Sequence, residues 1–433
     1  MKDPIALFWF RRDLRLFDNH GLFRALSSGK RVLPLFIFDP SILDELPRDD
    51  HRVHFIHQQL QKMDAEWSAL GTGLQVYYGP VLEVLEKLSA TYTVAEIHTN
   101  GDYEPYARQR DQKVESWAKA QGISWYTHQD QVIFEPHQVV KSDGTPYLVY
   151  TPFSKAWLNK LGGMAPEQYP SETLLHRGLG IASQRVALED MGFVATAIDA
   201  PEAKTEVQRI ATYVDTRNYP AQDATTKVGV HLRFGTISVR ALVVQALGSE
   251  DNTYLKELIW REFMMMLLWH FPHTVHQSYK PVFDRIAWRN NPDDFQAWCQ
   301  GKTGYPLVDA GMRELNATGF MHNRVRMLVG SFLVKHLLID WRWGEAYFAQ
   351  KLFDFELSSN VGNWQWVAGS GIDAAPYFRI FNPEEQIKKF DKDHRYLRRW
   401  VPEYQEFNYP KPIVDHKMAR ERFLQAHKAA ATN

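Results

Sequence analysis

Residues 354–383 contain the densest group of side chains that could do chemistry. The acids, amides and closely spaced tryptophans of this stretch are Asp354, Glu356, Asn360, Asn363, Trp364 and Trp366. Its small residues are too closely spaced to predict one uninterrupted helix. They are Ser358, Ser359, Gly362, Gly369 and Gly371. Large aromatic side chains mixed with amides and glycines are typical of a segment that lines a cavity, so we interpret this stretch as the wall of a binding site.

A second group lies on a predicted helix with the sequence ELIWREF. Helical spacing puts the acid Glu257, the indole of Trp260 and the guanidinium of Arg261 on one face. Taken alone, this spacing favours an ion pair between Glu257 and Arg261 on a solvated face, beside a half-buried tryptophan. Arg324 and Arg326 in the segment HNRVRM are likewise typical of exposed charges where a helix begins.

The first part of the chain alternates strands and helices. Short apolar runs predict strands at residues 5–10, 31–38, 74–78, 94–100 and 124–128. Apolar residues at helical spacing predict helices near residues 53–70 and 103–121. This alternation predicts a doubly wound parallel sheet that binds ligands beyond the carboxyl ends of its strands. No G-x-G-x-x-G motif follows the first strand, so a Rossmann dinucleotide site is not predicted there.

The remaining chain predicts a connector followed by helices. Turn residues and prolines interrupt the pattern between residues 129 and 200, and helical periodicity dominates from residue 201 onward. Helices are predicted at residues 205–214, 253–271, 305–315 and 322–338. We therefore predict an α/β domain at residues 1–128, a connector at 129–200 and an all-helical domain at 201–433.

Composition excludes several classes of protein. The chain has 433 residues, a net charge of −1 and a single cysteine, Cys299. The length predicts more than one domain. The net charge implies that any basic surface is a local patch. The single cysteine excludes an intrachain disulfide and is typical of a reducing compartment. No cleavable leader or run of 18 apolar residues is present, so we expect a soluble, cytoplasmic protein. Two histidine triplets, His51, His54 and His57 and then His270, His273 and His276, have no cysteine or acid cluster nearby, so no metal site is predicted.

The ordered motifs WREF, GYPLVDAGMREL, FMHNRVRM, LLIDWRWGEAYF, NWQW and APYFRIFNP resemble the photolyase/cryptochrome flavoprotein family. The opening FWFRRDLRLFDN and the segment YTPFSKAW extend the resemblance over nearly the whole chain. The resemblance implies an α/β domain, a long connector and a helical domain that binds FAD. It further implies a DNA photolyase, a carbon–carbon lyase in which light drives an electron from reduced FAD to a cyclobutane pyrimidine dimer in UV-damaged DNA.

The resemblance also assigns residues around the flavin. An electron relay is implied at Trp364, Trp341 and Trp288, with Trp364 nearest the flavin. Asn360 matches the residue that faces flavin N5, and Asp354 and Arg326 match an ion pair beside the ring. Further cofactor contacts are implied at Tyr213, Thr225, Thr226, Lys227, Val228, Gly229, Arg261 and Glu356. Gly229 and Val230 depart from the family pattern T-S-x-L-S-P, and Glu356 stands where Asp is more common.

The substrate and the DNA contacts follow from the same resemblance. Residues expected around a flipped cyclobutane dimer are Glu257, Trp260, Asn323, Met327 and Trp366. Relatives that repair (6-4) photoproducts carry histidine at the positions of Asn323 and Met327, because that reaction needs a proton donor. His322 has that chemistry but points roughly 100° away from its neighbour on a helix. Contacts to DNA phosphates are expected from Arg217, Arg261, Arg324 and Arg379.

Two alternatives remain at this point. A cryptochrome would signal without repair, although the complete set of lesion contacts and the lack of a low-complexity extension before Asn433 favour repair. A non-catalytic nucleotide-binding domain on a helical scaffold would leave the tryptophans unexplained. Tyr106 and Ala107 replace the Asn-Glu pair of folate-binding relatives, which disfavours folate and leaves a deazaflavin or no second chromophore open. We expect a monomer.

Overall fold

A five-stranded parallel sheet forms the core of the first part of the chain. The computed structural model describes residues 3–432. The strands are β1 (Ile5–Phe10), β2 (Arg31–Phe38), β3 (Gln75–Tyr78), β4 (Val94–Asn100) and β5 (Ser124–His128). Their order is β3-β2-β1-β4-β5, so the chain winds outward in both directions from β1 and confirms the predicted doubly wound sheet.

Register and burial explain why the strand prediction succeeded. All six residues of β1 are buried, as expected for a central parallel strand with both faces covered. Ile5 pairs with Arg31 of β2, and on the other side the register with β4 shifts between Ile5 and Ala6. Helices of this part are α1 (His20–Ser27), α2 (Pro40–Leu43), α3 (His51–Ser68), α4 (Val81–Thr91) and α5 (Pro105–Ala120).

Polar side chains fill the carboxyl edge of the sheet between β1 and β4. Asn100 donates to Asp13 at 2.5 Å and to Asn19 at 2.8 Å, and its own oxygen accepts from the main chain of Gly21 at 2.9 Å. Burial, followed by the nearby charge of Asp130, raises the pKa of Asp13. The point where strand order reverses is thus occupied by a network of the protein's own side chains.

Helices and 3₁₀ turns account for the regular structure after β5. The helices are α6 (Tyr150–Leu161), α7 (Val207–Ala211), α8 (Tyr213–Thr216), α9 (Gly229–Phe234), α10 (Val239–Leu247), α11 (Thr253–His270), α12 (Pro292–Cys299), α13 (Pro306–Thr318), α14 (Asn323–Ser331), α15 (Trp341–Lys351), α16 (Leu357–Ala368), α17 (Pro383–Phe390), α18 (Arg395–Trp400) and α19 (His416–Thr432). The 3₁₀ turns are Ser171–Arg177, Glu189–Met191, Pro272–Val275 and Pro281–Arg285. The predicted all-helical second part is confirmed.

Two helix predictions were wrong in detail. The helix predicted at residues 205–214 is divided into α7 and α8, which Thr212 separates. The helix predicted at residues 322–338 ends at Ser331 and continues as a π-helical turn, Phe332–His336.

The expectation of a broken helix at residues 358–362 was also wrong. Helix α16 runs without interruption through Ser358, Ser359 and Gly362 and ends at Ala368, where Gly369 caps it with a φ of 80° that favours glycine. Packing explains the exception, because a Cβ on Gly362 would lie 2.6 Å from the sulfur of Met264. The glycine therefore allows α16 to pack closely against α11.

The chain divides into two compact units. The first comprises the described residues up to Val139 together with Trp157–Glu202 and Val228–Gly248. The second comprises Val140–Ala156, Ala203–Lys227 and the described residues from Ser249 onward. The residues of the predicted connector are divided between these units, and the domain boundaries at 128 and 200 stay a prediction. No helix within residues 3–432 is long and apolar enough to cross a membrane.

Candidate active site

A cavity of about 110 Å³ lies between helices of the second unit. Residues of α14, α16 and the segment between α15 and α16 line it. Among them are Asn323, Arg326, Met327, Asp354, Glu356, Asn360, Trp364 and Trp366. The cavity thus brings together eight residues that the sequence predicted for the flavin and lesion sites.

Helix α16 contributes one row of this wall. Asn360 and Trp364, one turn apart, are 8% and 3% exposed, whereas Trp366 is half-buried and Asn363 is exposed. The amide nitrogen of Asn360 donates to the carboxylate of Glu345 at 2.9 Å and to its main-chain oxygen at 3.1 Å. These bonds fix which way the amide faces.

Trp364 is held by close contact with α15. A Cβ on Gly344 would lie 2.1 Å from the indole of Trp364, so only glycine fits at this position. The ring of Phe348 packs edge-on against the same indole at 5.0 Å, and Trp298 does so at 6.3 Å. Trp341 is buried at the start of α15, under the guanidinium of Arg342 at 4.8 Å.

The predicted ion pair at the cavity is present. Arg326 donates to Asp354 through both terminal nitrogens, at 3.0 and 2.9 Å. Its third nitrogen donates to the main-chain oxygen of Met321 at 2.6 Å. A bidentate pair of this kind fixes both side chains at the cavity wall.

The acids Glu257 and Glu356 have partners that spacing along α11 did not predict. Glu257 pairs with Arg217 at 2.5 Å, and Arg261 pairs with Glu356 at 3.4 Å. The first pair links α11 to the residue after α8, and the second links α11 to the residue before α16. The first pair joins a predicted lesion contact to a predicted DNA contact, whereas the second joins two predicted cofactor contacts.

Three of the predicted DNA-contacting arginines lie close together. Burial, followed by the charges of Arg217 and Arg379, lowers the pKa of Arg324. The guanidinium of Arg324 lies 4.3 Å from the ring of Phe390 and donates to the side chain of Asn218. Because like charges repel, such a cluster favours an anion as its partner.

His322 caps α14. Its Nδ1 accepts from the main-chain nitrogen of Arg324 at 3.2 Å. Burial, followed by the charges of Arg326, Arg324 and Arg217, lowers its pKa to about 4. His322 is therefore neutral at pH 7, with Nδ1 engaged in the helix cap.

The segment that holds the implied cofactor contacts Thr225 and Thr226 has partly buried hydroxyls. Thr226 is 4% exposed, and its hydroxyl accepts from Tyr254 at 3.2 Å. Tyr213 packs edge-on against Tyr254 at 5.3 Å. The side chain of Lys227 is paired with Asp223 at 2.8 Å. In the first unit, helix α9 begins at Gly229, after Val228.

Sequence reasoning missed residues that contact the candidate site. Glu345 holds Asn360, and Trp298 touches Trp364. Tyr150 stacks on Trp260 with ring centres 3.7 Å apart. Tyr150 lay within the motif YTPFSKAW, but no periodicity linked it to Trp260.

The donor set at the cavity fits a flavin. It offers a fixed amide, a bidentate arginine–acid pair and a large indole, all beside one space. A second, smaller cavity between α11 and α16 is lined by Ser358, whose buried hydroxyl has no hydrogen-bond partner within residues 3–432. A doubly wound sheet and a helical unit with such a cavity together define a flavin-binding class of protein.

The family assignment rests on three comparisons. Residues 254–408 match the family model for the FAD binding domain of DNA photolyase, and residues 6–171 match the model for DNA photolyase. A deoxyribodipyrimidine photo-lyase of Synechococcus is 36% identical over 98% of this chain and 96% of that protein. The chain belongs to the DNA photolyase family, and FAD is its cofactor.

Solved structures agree. A bacterial class III photolyase from Agrobacterium tumefaciens has a TM-score of 0.89 and 34% identity, covering 100% of this chain and 99% of that one. An archaeal photolyase from Sulfolobus tokodaii, solved with two FAD molecules, has a TM-score of 0.82 and 32% identity, covering 98% and 99%.

Proposed function

We propose that this chain is a light-dependent DNA repair enzyme that splits cyclobutane pyrimidine dimers. The observation that carries the proposal is the single cavity whose wall joins Arg326, Asp354 and Asn360 to Asn323, Met327 and Trp366. The first three match flavin contacts, and the others match contacts to a flipped dimer. A site of this kind brings a cofactor and a lesion next to each other.

The cofactor would be held mainly by α14, α16 and the segment between α15 and α16. The Asn360 amide, fixed by Glu345, would face the flavin ring, and the Arg326–Asp354 pair would lie beside it. Tyr213, Thr225–Gly229, Arg261 and Glu356 complete the proposed contacts. When bound, FAD supplies the light-driven electron that opens the cyclobutane ring.

Lesion recognition would use two tryptophans and one acid. Trp260 and Trp366 present indole faces on which an extruded base can stack, and such stacking is worth about 1–3 kcal/mol per base. Glu257, which is paired with Arg217, would present its carboxylate to the lesion. The arginines 217, 261, 324 and 379 would contact phosphates.

The choice of cyclobutane dimers over (6-4) photoproducts rests on the missing proton donor. Asn323 and Met327 do not titrate near neutral pH. His322 is engaged as a helix cap, and its pKa of about 4 leaves it neutral at pH 7, so it lacks the imidazolium form that acts as a proton donor. The site therefore favours a reaction that needs charge stabilisation alone.

Reduction of the bound cofactor would use the proposed relay of Trp364, Trp341 and Trp288. The first two are buried, at 3% and 1% exposure, whereas Trp288 is half-buried. The last tryptophan of the series is thus the most exposed, which supports transfer from the cavity toward solvent.

Chromatography of UV-irradiated oligonucleotides tests the function. Reduced enzyme under blue light should remove cyclobutane thymine dimers and leave (6-4) photoproducts unchanged. Persistence of the dimer would contradict repair and favour the cryptochrome alternative, and loss of the (6-4) product would contradict the substrate assignment. Glu257→Ala should lower the yield per photon more than it weakens binding.

We further propose a cytoplasmic monomer. Sedimentation at micromolar concentration should give one species of 50.4 kDa, and a dimer would refute this. The second chromophore stays open between a deazaflavin and none, with folate disfavoured at Tyr106 and Ala107. An absorption spectrum of purified protein would separate these cases, because each chromophore absorbs at its own wavelength.

A further inference from the structure

The face of Trp260 that could receive a base is restricted by a tyrosine from another helix. Tyr150, at the start of α6, stacks on the indole with ring centres 3.7 Å apart and planes 6° from parallel. Phe263 packs edge-on against both rings, at 5.9 Å from Tyr150 and 5.6 Å from Trp260. One face of the indole is thereby covered, and a base can stack only on the other.

Hydrogen bonds fix Tyr150 at both ends. Its hydroxyl donates to the main-chain oxygen of Lys256 at 2.7 Å, one helical turn before Trp260. Its main-chain nitrogen donates to the carboxylate of Asp373 at 2.9 Å, in the segment after α16. Burial raises the pKa of Tyr150 to about 12, so the hydroxyl keeps the proton that it donates.

These contacts connect the two elements that carry the proposed stacking residues. Lys256 and Trp260 belong to α11, whereas Asp373 follows the helix that carries Trp366. A tryptophan that is already fixed loses less side-chain freedom when a base stacks on it. The same base then binds more tightly than it would to a mobile indole.

We propose that Tyr150 is a positioning residue that fixes the plane of Trp260 and so sets the preference for a flipped lesion. The proposal rests on the proposed function, because it assumes that Trp260 stacks on the lesion. Undamaged DNA, which presents no flipped base, gains nothing from the fixed indole. Tyr150 therefore affects discrimination between damaged and undamaged DNA, and not general affinity.

The test compares dissociation constants for two duplexes, one with a single cyclobutane dimer and one undamaged, measured in the dark. The ratio of interest is the dissociation constant for undamaged DNA divided by that for damaged DNA. Tyr150→Leu should lower this ratio by about three- to tenfold, the range expected for one aromatic contact. Affinity for undamaged DNA should change by less than about twofold on the same argument. Tyr150→Phe keeps the ring and should retain most of the ratio.

A double-mutant cycle shows whether Tyr150 acts through Trp260. In a Trp260→Ala background, Tyr150→Leu should lower the ratio no further. Tyr147→Leu is the matched control, because Tyr147 is a half-buried tyrosine of the same segment that packs against Phe153 at 6.5 Å. If Tyr150→Leu does not fold, Tyr150→His supplies a smaller ring and should give an intermediate loss.

The outcomes separate this inference from the proposed function. If Trp260→Ala keeps the wild-type ratio, Trp260 does not contact the lesion, and the proposed mode of lesion recognition is wrong. A reduced ratio in Trp260→Ala together with an unchanged ratio in both Tyr150→Leu and Tyr150→His would overturn the role of Tyr150 alone. Equal losses from Tyr150→Leu in both backgrounds would overturn it as well.

Discussion

Replacing Lys335 by methionine should change how the stability of the helical unit depends on pH. Lys335 is 1% exposed and lies in the π-helical turn after α14. Its ammonium donates to the main-chain oxygens of Tyr377 at 3.3 Å and Arg379 at 2.9 Å, and it lies 5.6 Å from the ring of Phe423. Burial, followed by the charge of Arg379, lowers its pKa from 10.5 to about 7.

The sign of the effect follows from this lowered pKa. Between pH 7 and 10.5 the unfolded chain binds a proton that the folded chain does not, so the free energy of unfolding rises with pH. At 1.36 kcal/mol for each pH unit, the whole window is worth on the order of 5 kcal/mol. The histidines that sense the charge of Lys335, His336 and His427, have pKa values of about 3 and 4 and do not titrate in this window.

Denaturant midpoints measured from pH 6.5 to 9.5, with flavin release as the signal, would test this. The wild-type midpoint should rise with pH, whereas the midpoint of Lys335→Met should stay nearly flat, offset by a constant amount for the lost hydrogen bonds. Lys392→Met, at an exposed lysine, should follow the wild type. Parallel curves for wild type and Lys335→Met would refute a depressed pKa at this site.

Four further predictions concern the cavity and its surroundings. Trp364→Phe should abolish photoreduction of the oxidised cofactor and spare repair by chemically reduced enzyme; normal photoreduction would remove Trp364 from the relay. Arg324→Ala should weaken binding to damaged and undamaged DNA alike and reduce the slope of log affinity against log salt by about 1. A loss of affinity for damaged DNA alone would contradict a phosphate contact. Gly344→Ala should lower stability by about 1–3 kcal/mol through the clash with Trp364, measured by thermal unfolding. Asn360→Asp should alter the absorption spectrum of the illuminated enzyme, and an unchanged spectrum would count against its position beside the flavin.

Local pattern was enough to predict the sheet and most long helices. The central strands of the sheet are short apolar runs bounded by turns, and β1 is buried along its whole length, so burial and sequence pattern agree there. Helix α16 was predicted poorly because glycine has a low intrinsic helix propensity. Its glycine at position 362 is explained only by Met264, almost 100 residues earlier in the chain.

Partners across the site could not be predicted from spacing. Glu257 and Arg217 are 40 residues apart, and Asn360 and Glu345 belong to different helices. The family resemblance named most residues that now line the cavity, but it did not name Tyr150, whose contact depends on how α6 meets α11. Tertiary contacts of this kind follow from packing and leave no periodic signal.

The buried nitrogens of two proposed relay tryptophans have a kinetic consequence. Within residues 3–432, the Nε1 atoms of Trp341 and Trp288 meet no hydrogen-bond acceptor. An oxidised indole is far more acidic than a neutral one, but without an acceptor it keeps its proton. In the proposed relay, charge would then pass along the tryptophans, and return, without waiting for a proton to move. Solvent deuteration would leave such transfer unchanged in rate, and the separated charge would stay reversible until it reached water.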